Sequence, residues 1–295
     1  MIPHYPDFRP LSLEDKALLV RQLRATSREI CELSLGNLFV WREFDRPQVT
    51  CINNNTCVLL DPPNEPAYFL EPLGRNNLGD TTRVMLKHSG RVSRVSRSFA
   101  DLLPKDHYHF SPLRNQFDYL YLRTDLAELK GRKYDGKRNH LKRFQARYPD
   151  YRFVALTPGH KKEALTLFEK WFQVREESRY FPRLAYISQK GAITEAFALF
   201  KPLNFLGGAL MVNGQMKGFT LGSKLNPETV SVHFLYSDPE LSGGFQTTLW
   251  EANNKCFSGF KHIDLEQDLG IPGIRKAKLS YQPCKLVEKF EVKPA

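Results

Sequence analysis

Asp264, Glu266 and Asp268 stand two residues apart in the run HIDLEQD, which leads through Gly270 and Pro272 into the basic stretch IRKAKLSYQP. On a strand, where side chains alternate with period two, the three carboxylates share one face and Ile263 and Leu265 the other. Neighbours on such a face lie ~7 Å apart, close enough for like charges to raise one another's pKa. A carboxylate tuned in this way can accept the proton of an attacking amine or hydroxyl, so Glu266 and Asp268 are candidate general bases. The same pattern also fits a solvated strand face whose acids pair with Arg275, Lys276 or Lys278. In the helix expected from Pro272, the residues Ile274, Lys278 and Tyr281 form one stripe. A lysine on such a stripe either turns its ammonium to water or points it into a site, where it can hold an oxyanion.

Two other stretches carry residue types that chemistry uses. Gly243 and Gly244 precede an expected helix with Gln246 in its first turn. Backbone N–H groups at such a start can hold a phosphate or an oxyanion, although a tight turn explains the glycines equally well. The run LKGRKYDGKRNHLKRF, residues 129–144, holds seven Lys or Arg against the single acid Asp135. On a helix, Tyr134, Lys137, Leu141, Phe144 and Tyr148 make one stripe, and Arg138, Lys142, Arg143 and Arg147 spread over the other faces. Lys137 alone among the basic residues falls inside the apolar stripe.

The elements that position these residues can be read along the chain. A capping box, Ser12 to Asp15, opens a helix expected to reach about Cys31. Strand-like runs follow at NLFVWREF (37–44), QVTCI (48–52), TCVLL (56–60) and AYFLEPL (67–73). A helix near 79–89, a strand at RVSRV, a helix near SFADLL and the strand FDYLYL complete the first half. In the second half, helices are expected at 160–177 and 190–200, and Asn213-Gly214 joins two strands as a hairpin turn. A third strand (TVSVHFLYS), a glycine-led helix, the strand at 263–268, the helix from Pro272 and a last strand at 285–292 follow. Both halves thus repeat helices, an antiparallel meander and a β-α-β unit. The reading is an α+β chain of two similar domains: 1–128, a basic connecting helix within 129–152, and 153–295, with a last strand able to cross to the other domain.

Charge sharpens this division. Residues 1–128 carry 16 basic and 16 acidic side chains, whereas 129–295 carry 27 and 16, the whole excess of +11. A local positive field speeds encounter with an anionic partner such as RNA, a lipid headgroup or a phosphorylated co-substrate. No run of ~20 apolar residues is present, so no transmembrane segment is expected. The amino terminus, MIPHYPDFRPL, does not read as a signal peptide. The five scattered cysteines form no CxxC pair and fit a reduced, cytoplasmic protein. No metal-ligand spacing and no DNA-reading motif stands out, so neither metal nor DNA is expected.

The segments DYLYLRTDLAELKGRKYDGKRNHLKRF and DLEQDLGIPGIRKAKLSYQPCKLVEKF together resemble the uncharacterised family that shares the carboxy-terminal catalytic domain of phosphatidylglycerol lysyltransferases. The resemblance covers nearly the whole chain. It implies two tandem GNAT-like (acyl-CoA N-acyltransferase type) domains with mixed, mostly antiparallel sheets, and kinship with peptidyltransferases that use aminoacyl-tRNA. By the family's motifs, Lys278, Tyr281 and Pro283 correspond to its Lys-x-x-(Phe/Tyr)-x-Pro segment, Lys289 to the basic residue before its terminal aromatic, and Lys137, Arg138 and Asn139 to its basic helix. The acetyl-CoA loop of GNAT enzymes is met at Gly243 and broken by Glu240 and Phe245. The lysyltransferases' multi-span membrane domain is missing from this sequence.

The combined expectation is an acyltransferase or aminoacyltransferase working by direct attack on an activated donor. Glu266 or Asp268 would be the base and Lys278 the oxyanion holder; Lys137, Arg138, Asn139, Arg275, Tyr281 and Lys289 would bind substrate. Gly243, Gly244 and Gln246 would meet a cofactor. Acyl-CoA and aminoacyl-tRNA are the candidate co-substrates, with no tightly bound cofactor, and residues 130–147 are the candidate tRNA contact. Peripheral membrane contact and a small-molecule or lipid acceptor stay open. The alternative is a catalytically silent module of the same fold that binds RNA or an anionic surface.

Overall fold

In the computed structural model, which describes residues 1–25, 29–175 and 182–295, Asn213 and Gly214 take the positive φ values, 50° and 73°, of a two-residue hairpin turn. The chain begins with β1 (Arg9–Pro10), α1 (Lys16–Ala25), α2 (Leu35–Val40), α3 (Arg42–Asp45), β2 (Gln48–Ile52) and β3 (Asn55–Leu60). It continues through β4 (Tyr68–Phe69), α4 (Leu78–Ser89), β5 (Val92–Ser96), α5 (Arg97–Ala100), β6 (Tyr108–Pro112), β7 (Asp118–Leu122) and α6 (Arg123–Glu128). The basic helix α7 (Asp135–Arg147) leads to β8 (Arg152–Ala155), α8 (Lys161–Gln173), α9 (Arg183–Ala198), β9 (Leu206–Val212), β10 (Gln215–Asn226) and β11 (Thr229–Ser237). Last come α10 (Gly244–Lys255), β12 (His262–Asp264), α11 (Pro272–Leu279), β13 (Lys285–Val287) and β14 (Lys289–Pro294).

These strands form two seven-stranded sheets, β1-β2-β3-β4-β5-β14-β6 and β13-β7-β12-β11-β10-β9-β8. Each is antiparallel except for one parallel pair, β4 with β5 and β11 with β12. The architecture is therefore α+β with two mixed, mostly antiparallel sheets. The sheets share strands across the sequence: β7, which precedes residue 128, pairs with β12 and β13, whereas β14 pairs with β5 and β6. Between β13 and β14 lies only Glu288, so the chain passes from one sheet to the other in a single residue.

One apolar cluster joins the two sheets, combining Leu38, Phe39 and Leu60 with Phe168, Ile193, Phe219 and Phe234. Each such side chain, taken fully out of water, contributes ~1.5–3 kcal/mol. In α7 the stripe is as spaced: Tyr134, Leu141 and Phe144 are buried, Lys137 and Tyr148 partly so, and Lys142, Arg143 and Arg147 exposed.

Five expectations need correction. Residues 37–44 are not a strand but α2 and α3; the Ser34 side chain accepts the Asn37 N–H and caps α2, and Leu38, Phe39 and Val40 are buried in succession rather than alternately. The strand expected at 263–268 stops at Asp264, because Asp264 Oδ1 accepts the Glu266 N–H at 2.8 Å and Asp268 Oδ1 that of Gly270 at 2.8 Å. Such aspartates fold the backbone onto their own side chains, and Glu266 and Leu269 take φ of 57° and 54°. The helix from Ser12 is α1, ending at Ala25; residues 26–28 lie outside the described part and Cys31–Leu33 form a 3-10 turn. The strand expected over 67–73 is confined to Tyr68–Phe69. The helix expected over 160–177 is α8, which ends at Gln173; residues 176–177 lie outside the described part.

Candidate active site

Along the parallel pair β11 and β12, residues 229–231 align with 262–264 and the pairing then ends. Beyond Ser231 and Asp264 the two chains part, and a cavity of about 1130 Å³ opens there. Its walls come from both sheets' neighbourhoods: Trp41 and Asp45, Trp171, Tyr236, Leu265, Ile274 and Tyr281. Glu32, Glu266 and Lys278 line it as well.

Glu266 is held from several sides. Its Oε1 accepts from His233 Nδ1 at 2.8 Å, Ser231 Oγ at 3.3 Å and Asn37 Nδ2 at 3.4 Å. Among the described residues no hydrogen bond reaches Oε2, and the side chain is 12% exposed. Burial works against its charge, but the hydrogen bond and charge of His233, then the charges of Lys278 and Lys289, hold its pKa below the usual value. His233 is itself fully buried, with Nε2 2.8 Å from Ser223 Oγ. This pair packs against Gly36 of α2, where a Cβ would fall 2.1 Å from Ser223 Oγ and 2.7 Å from His233 Nε2. Glycine is what allows the helix so near. His233, which also lines the cavity, thus links Glu266 to Ser223.

Below this lies a second layer of buried charge. Lys289 Nζ donates to Glu32 Oε2 at 2.6 Å and Asp118 Oδ1 at 2.7 Å, and lies 3.6 Å from Cys31 Sγ. Burial pushes Asp118 up to about 6 against the pull of Lys289, and burial with the charges of Asp118 and Glu266 pushes Asp264 well above the carboxylate range. Cys31, Asp118 and Asp264 bring one ligand-type atom each within 4.8 Å of one another, the one such group among the described residues. The Lys289 ammonium supplies the positive charge there.

Of the carboxylates expected on one face, only Glu266 lines the cavity. Asp268 is 0% exposed and is caged by Tyr119 OH (2.6 Å), Arg114 (3.1 Å), and Arg275 Nε (2.8 Å) and Nη2 (2.9 Å). Burial would raise its pKa, but Arg275 and Tyr119 bring it down to about 2. Lys278 lines the cavity but spends its three N–H bonds on the carbonyls of Leu265 (2.6 Å), Glu266 (3.0 Å) and Gln267. It holds the turn that carries Glu266. Burial lowers its pKa against the acids around it.

The other sequence candidates are dispersed. Tyr281 is on the cavity wall, and its buried hydroxyl has no partner among the described residues. Lys137 reaches Ser280 Oγ at 2.6 Å and sits 4.0 Å over the Tyr281 ring, behind the wall, where burial lowers its pKa. Arg138 caps the carbonyls of Leu129 and Gly131 beside Asp135, and Asn139 is exposed. Arg275 binds Asp268 and Asn115, and Lys289 is in the buried layer. Gly243, at φ 83°, begins α10 directly against α7: a Cβ there would lie 3.0 Å from the His140 carbonyl. Gly244 and Gln246 follow in the first turn and do not line the cavity, although Phe245 between them does. His233, Ser223, Glu32 and Asp118 join the site without being singled out by any motif in the sequence. One signal was present: Thr229, Ser231 and His233 place three polar groups on one face of an otherwise apolar strand.

The family model described as phosphatidylglycerol lysyltransferase, C-terminal, matches residues 23–293. A conserved protein of unknown function from Bacteroides thetaiotaomicron is 31% identical, with all of both chains covered and a TM-score of 0.88. The C-terminal domain of a putative lysylphosphatidylglycerol synthetase from Agrobacterium fabrum aligns over 96% of this chain and 92% of its own at 13% identity, TM-score 0.60. L-PGS from Bacillus licheniformis aligns over 99% and 93% at 14% identity, TM-score 0.61. At those identities the last two show the fold alone. Among curated proteins there is no match. No helix among the described residues is long and apolar enough to cross a membrane.

Proposed function

This chain belongs to the phosphatidylglycerol lysyltransferase C-terminal family, and from that premise we propose that it is an acyltransferase or aminoacyltransferase with Glu266 as its base. One observation carries the reading. Glu266 has one oxygen fixed by three hydrogen bonds and a second without any among the described residues, facing a cavity where two parallel strands part. An acceptor amine or hydroxyl gives its proton to Oε2 as it attacks the donor's acyl carbon. The bond from that carbon to the donor's oxygen or sulfur then breaks, and the leaving group takes up a proton. His233, fixed between Glu266 and Ser223, steadies the carboxylate and the proton it gains. The Tyr281 ring lines the wall, while its hydroxyl is buried and turned out of the cavity's reach. Lys278 keeps the turn in place rather than meeting the oxyanion.

The donor is aminoacyl-tRNA or acyl-CoA. The packing of α7 onto the Gly243 turn favours the former, since a phosphate held at the start of α10 would compete with the His140 backbone. The exposed Lys142, Arg143 and Arg147 have no acidic partner among the described residues and would meet tRNA phosphates. The same exposed face supports the second reading, a silent module that binds RNA without turnover. Thermal-shift titration with charged tRNA, uncharged tRNA and acyl-CoAs, followed by transfer assays on whatever binds, separates them. A ligand at 100 times its Kd adds ~2.7 kcal/mol. Binding of tRNA with no transfer to any amine or hydroxyl acceptor would leave the silent module.

A further inference from the structure

The proposed chemistry uses the Glu266 side of the cavity and leaves its first-half wall unexplained. Arg94, on β5, lines that wall and holds a φ of 56°, a left-handed conformation that a non-glycine residue rarely takes inside a strand. Arg94 sits in a β-bulge, where Ser93 and Arg94 stand against the single residue Glu291 of β14, and such a bulge re-aims a side chain. The surroundings here are specific. The Arg94 and Arg91 guanidinium groups lie 4.9 and 5.0 Å over the Tyr68 ring, and Glu65 bridges them at 2.7 and 2.6 Å. Arg94 also donates to Tyr68 OH. A guanidinium has five N–H donors, and these two bonds use only part of them. Asp45, at the end of α3, lines the same wall, and among the described residues no donor reaches its carboxylate. Burial pushes Asp45 up to about 6 against the pull of Arg94. Glu32 acts on both groups, so this wall is electrostatically continuous with the floor below Glu266.

We infer that Arg94 and Asp45 form a subsite for the zwitterionic head of a free α-amino acid, the carboxylate held by Arg94 and the ammonium by Asp45. Charge balance selects this ligand. In a partly dry wall, a ligand with only an anionic group would leave Asp45 opposed, and one with only a cationic group would leave Arg94 opposed. Glu65 cannot take the ammonium, because two arginines already share it. A head with both charges on one carbon satisfies both wall groups at once. Arg suits the carboxylate because its planar fork matches two oxygens. The assignment of this amino acid as the acceptor rests on the transferase reading; its binding does not.

The test is calorimetric titration of the full chain with free amino acids bearing small, basic, acidic and aromatic side chains. Each is matched by its amide, which lacks the carboxylate charge, and its N-acetyl form, which lacks the ammonium. At least one free amino acid should bind, with both of its blocked forms tenfold or more weaker. Asp45→Asn should cost tenfold or more in affinity with the fold intact. Arg94→Lys keeps the charge but loses the fork and should weaken binding too. Glu266→Gln should bind the amino acid as the wild type does while losing transfer, which separates a failed subsite from a failed catalytic reading. Binding of an amide or N-acetyl form as tight as that of the free amino acid would overturn the proposal. So would unchanged affinity in Asp45→Asn, or no binding by any member of the panel.

Discussion

Glu266 and Asp268 lie two residues apart on one turn, yet the structure gives them opposite surroundings. Asp268 faces away from the cavity and both of its oxygens are filled, by Tyr119, Arg114, Arg275 and the Gly270 N–H. Glu266 faces the cavity with one oxygen saturated and one open. Both carboxylates are held ionised below the usual range, so their pKa values do not separate them. Unfilled hydrogen-bonding capacity at a cavity wall does. The same distinction divides the layers beneath, where Lys289 is fully paired by Glu32 and Asp118. A saturated polar group stabilises; an unsaturated one beside a cavity has capacity left for a ligand.

The largest effect that would sharpen this contrast is expected at Lys289. Lys289→Met removes the only ammonium that, among the described residues, bonds Asp118 and Glu32, and leaves two buried acids uncompensated. Breaking such a buried pair costs ~3–5 kcal/mol. Chemical denaturation should show that loss, and a variant within ~1 kcal/mol of the wild type would mean that water or protonation already relieves the cluster. Next in size is Glu266→Gln. Once a donor and acceptor are in hand, its turnover should fall ~10²-fold or more, with little change in stability because the amide can still meet Ser231 and Asn37. Turnover near the wild-type rate would make Glu266 as structural as Asp268.

How far could the sequence have told these two carboxylates apart? Its alternation placed them together on one strand face, and local pattern contains nothing that contradicts this. The strand ends because Asp264 and Asp268 bond to backbone N–H groups two residues on, a preference known for aspartate but weaker as a signal than the apolar alternation of Ile263 and Leu265. Periodic features were legible: the hairpin at Asn213-Gly214, the buried stripe of α7 and the two-sheet α+β plan. Lys137 was legible too, turned inward to Ser280 and Tyr281 as its place on the stripe required. The cavity was not, since it depends on β11 parting from β12 and on α2 approaching from far along the sequence (Asn37 and Glu266 are 229 positions apart), where a helix stood in place of an expected strand. His233 gained meaning only when Ser223, Gly36 and Glu266 met around it.

Asp268 offers the next test, with a sign fixed by linkage. Its folded pKa, about 2, is below its ordinary 3.8, so the unfolded chain binds more protons between those values. The stability Asp268 contributes is therefore complete above about pH 4 and is lost as pH falls through about 2. Asp268→Asn should cost on the order of 2 kcal/mol at neutral pH, and the gap to wild type should narrow across that acid window. A gap that stays constant with pH would mean that its carboxylate is not specially stabilised by Arg275 and Tyr119.

The smallest expected effect on the fold lies on α7, where the same contrast between filled and open groups applies to cations. Arg138 is filled: it caps the carbonyls of Leu129 and Gly131 and pairs with Asp135, so it belongs with the structural residues. Lys142, Arg143 and Arg147 are exposed on the faces opposite the buried stripe. Replacing these three with Gln should change stability by no more than ~0.5 kcal/mol, the usual scale for surface positions. Their role, if α7 meets tRNA, is to displace counterions from phosphates. Each contact makes log affinity fall by ~0.7 to 0.9 for each tenfold rise in salt, so the triple variant should flatten that slope by about two units. Lys137→Gln should leave the slope unchanged, because its ammonium is spent on Ser280 and the Tyr281 ring. Labelled tRNA titrated at several salt concentrations reads both numbers. If the triple variant keeps the wild-type slope, the exposed cations of α7 meet only water, and an open charged group counts as functional only when, like Glu266, it stands at the wall of a cavity.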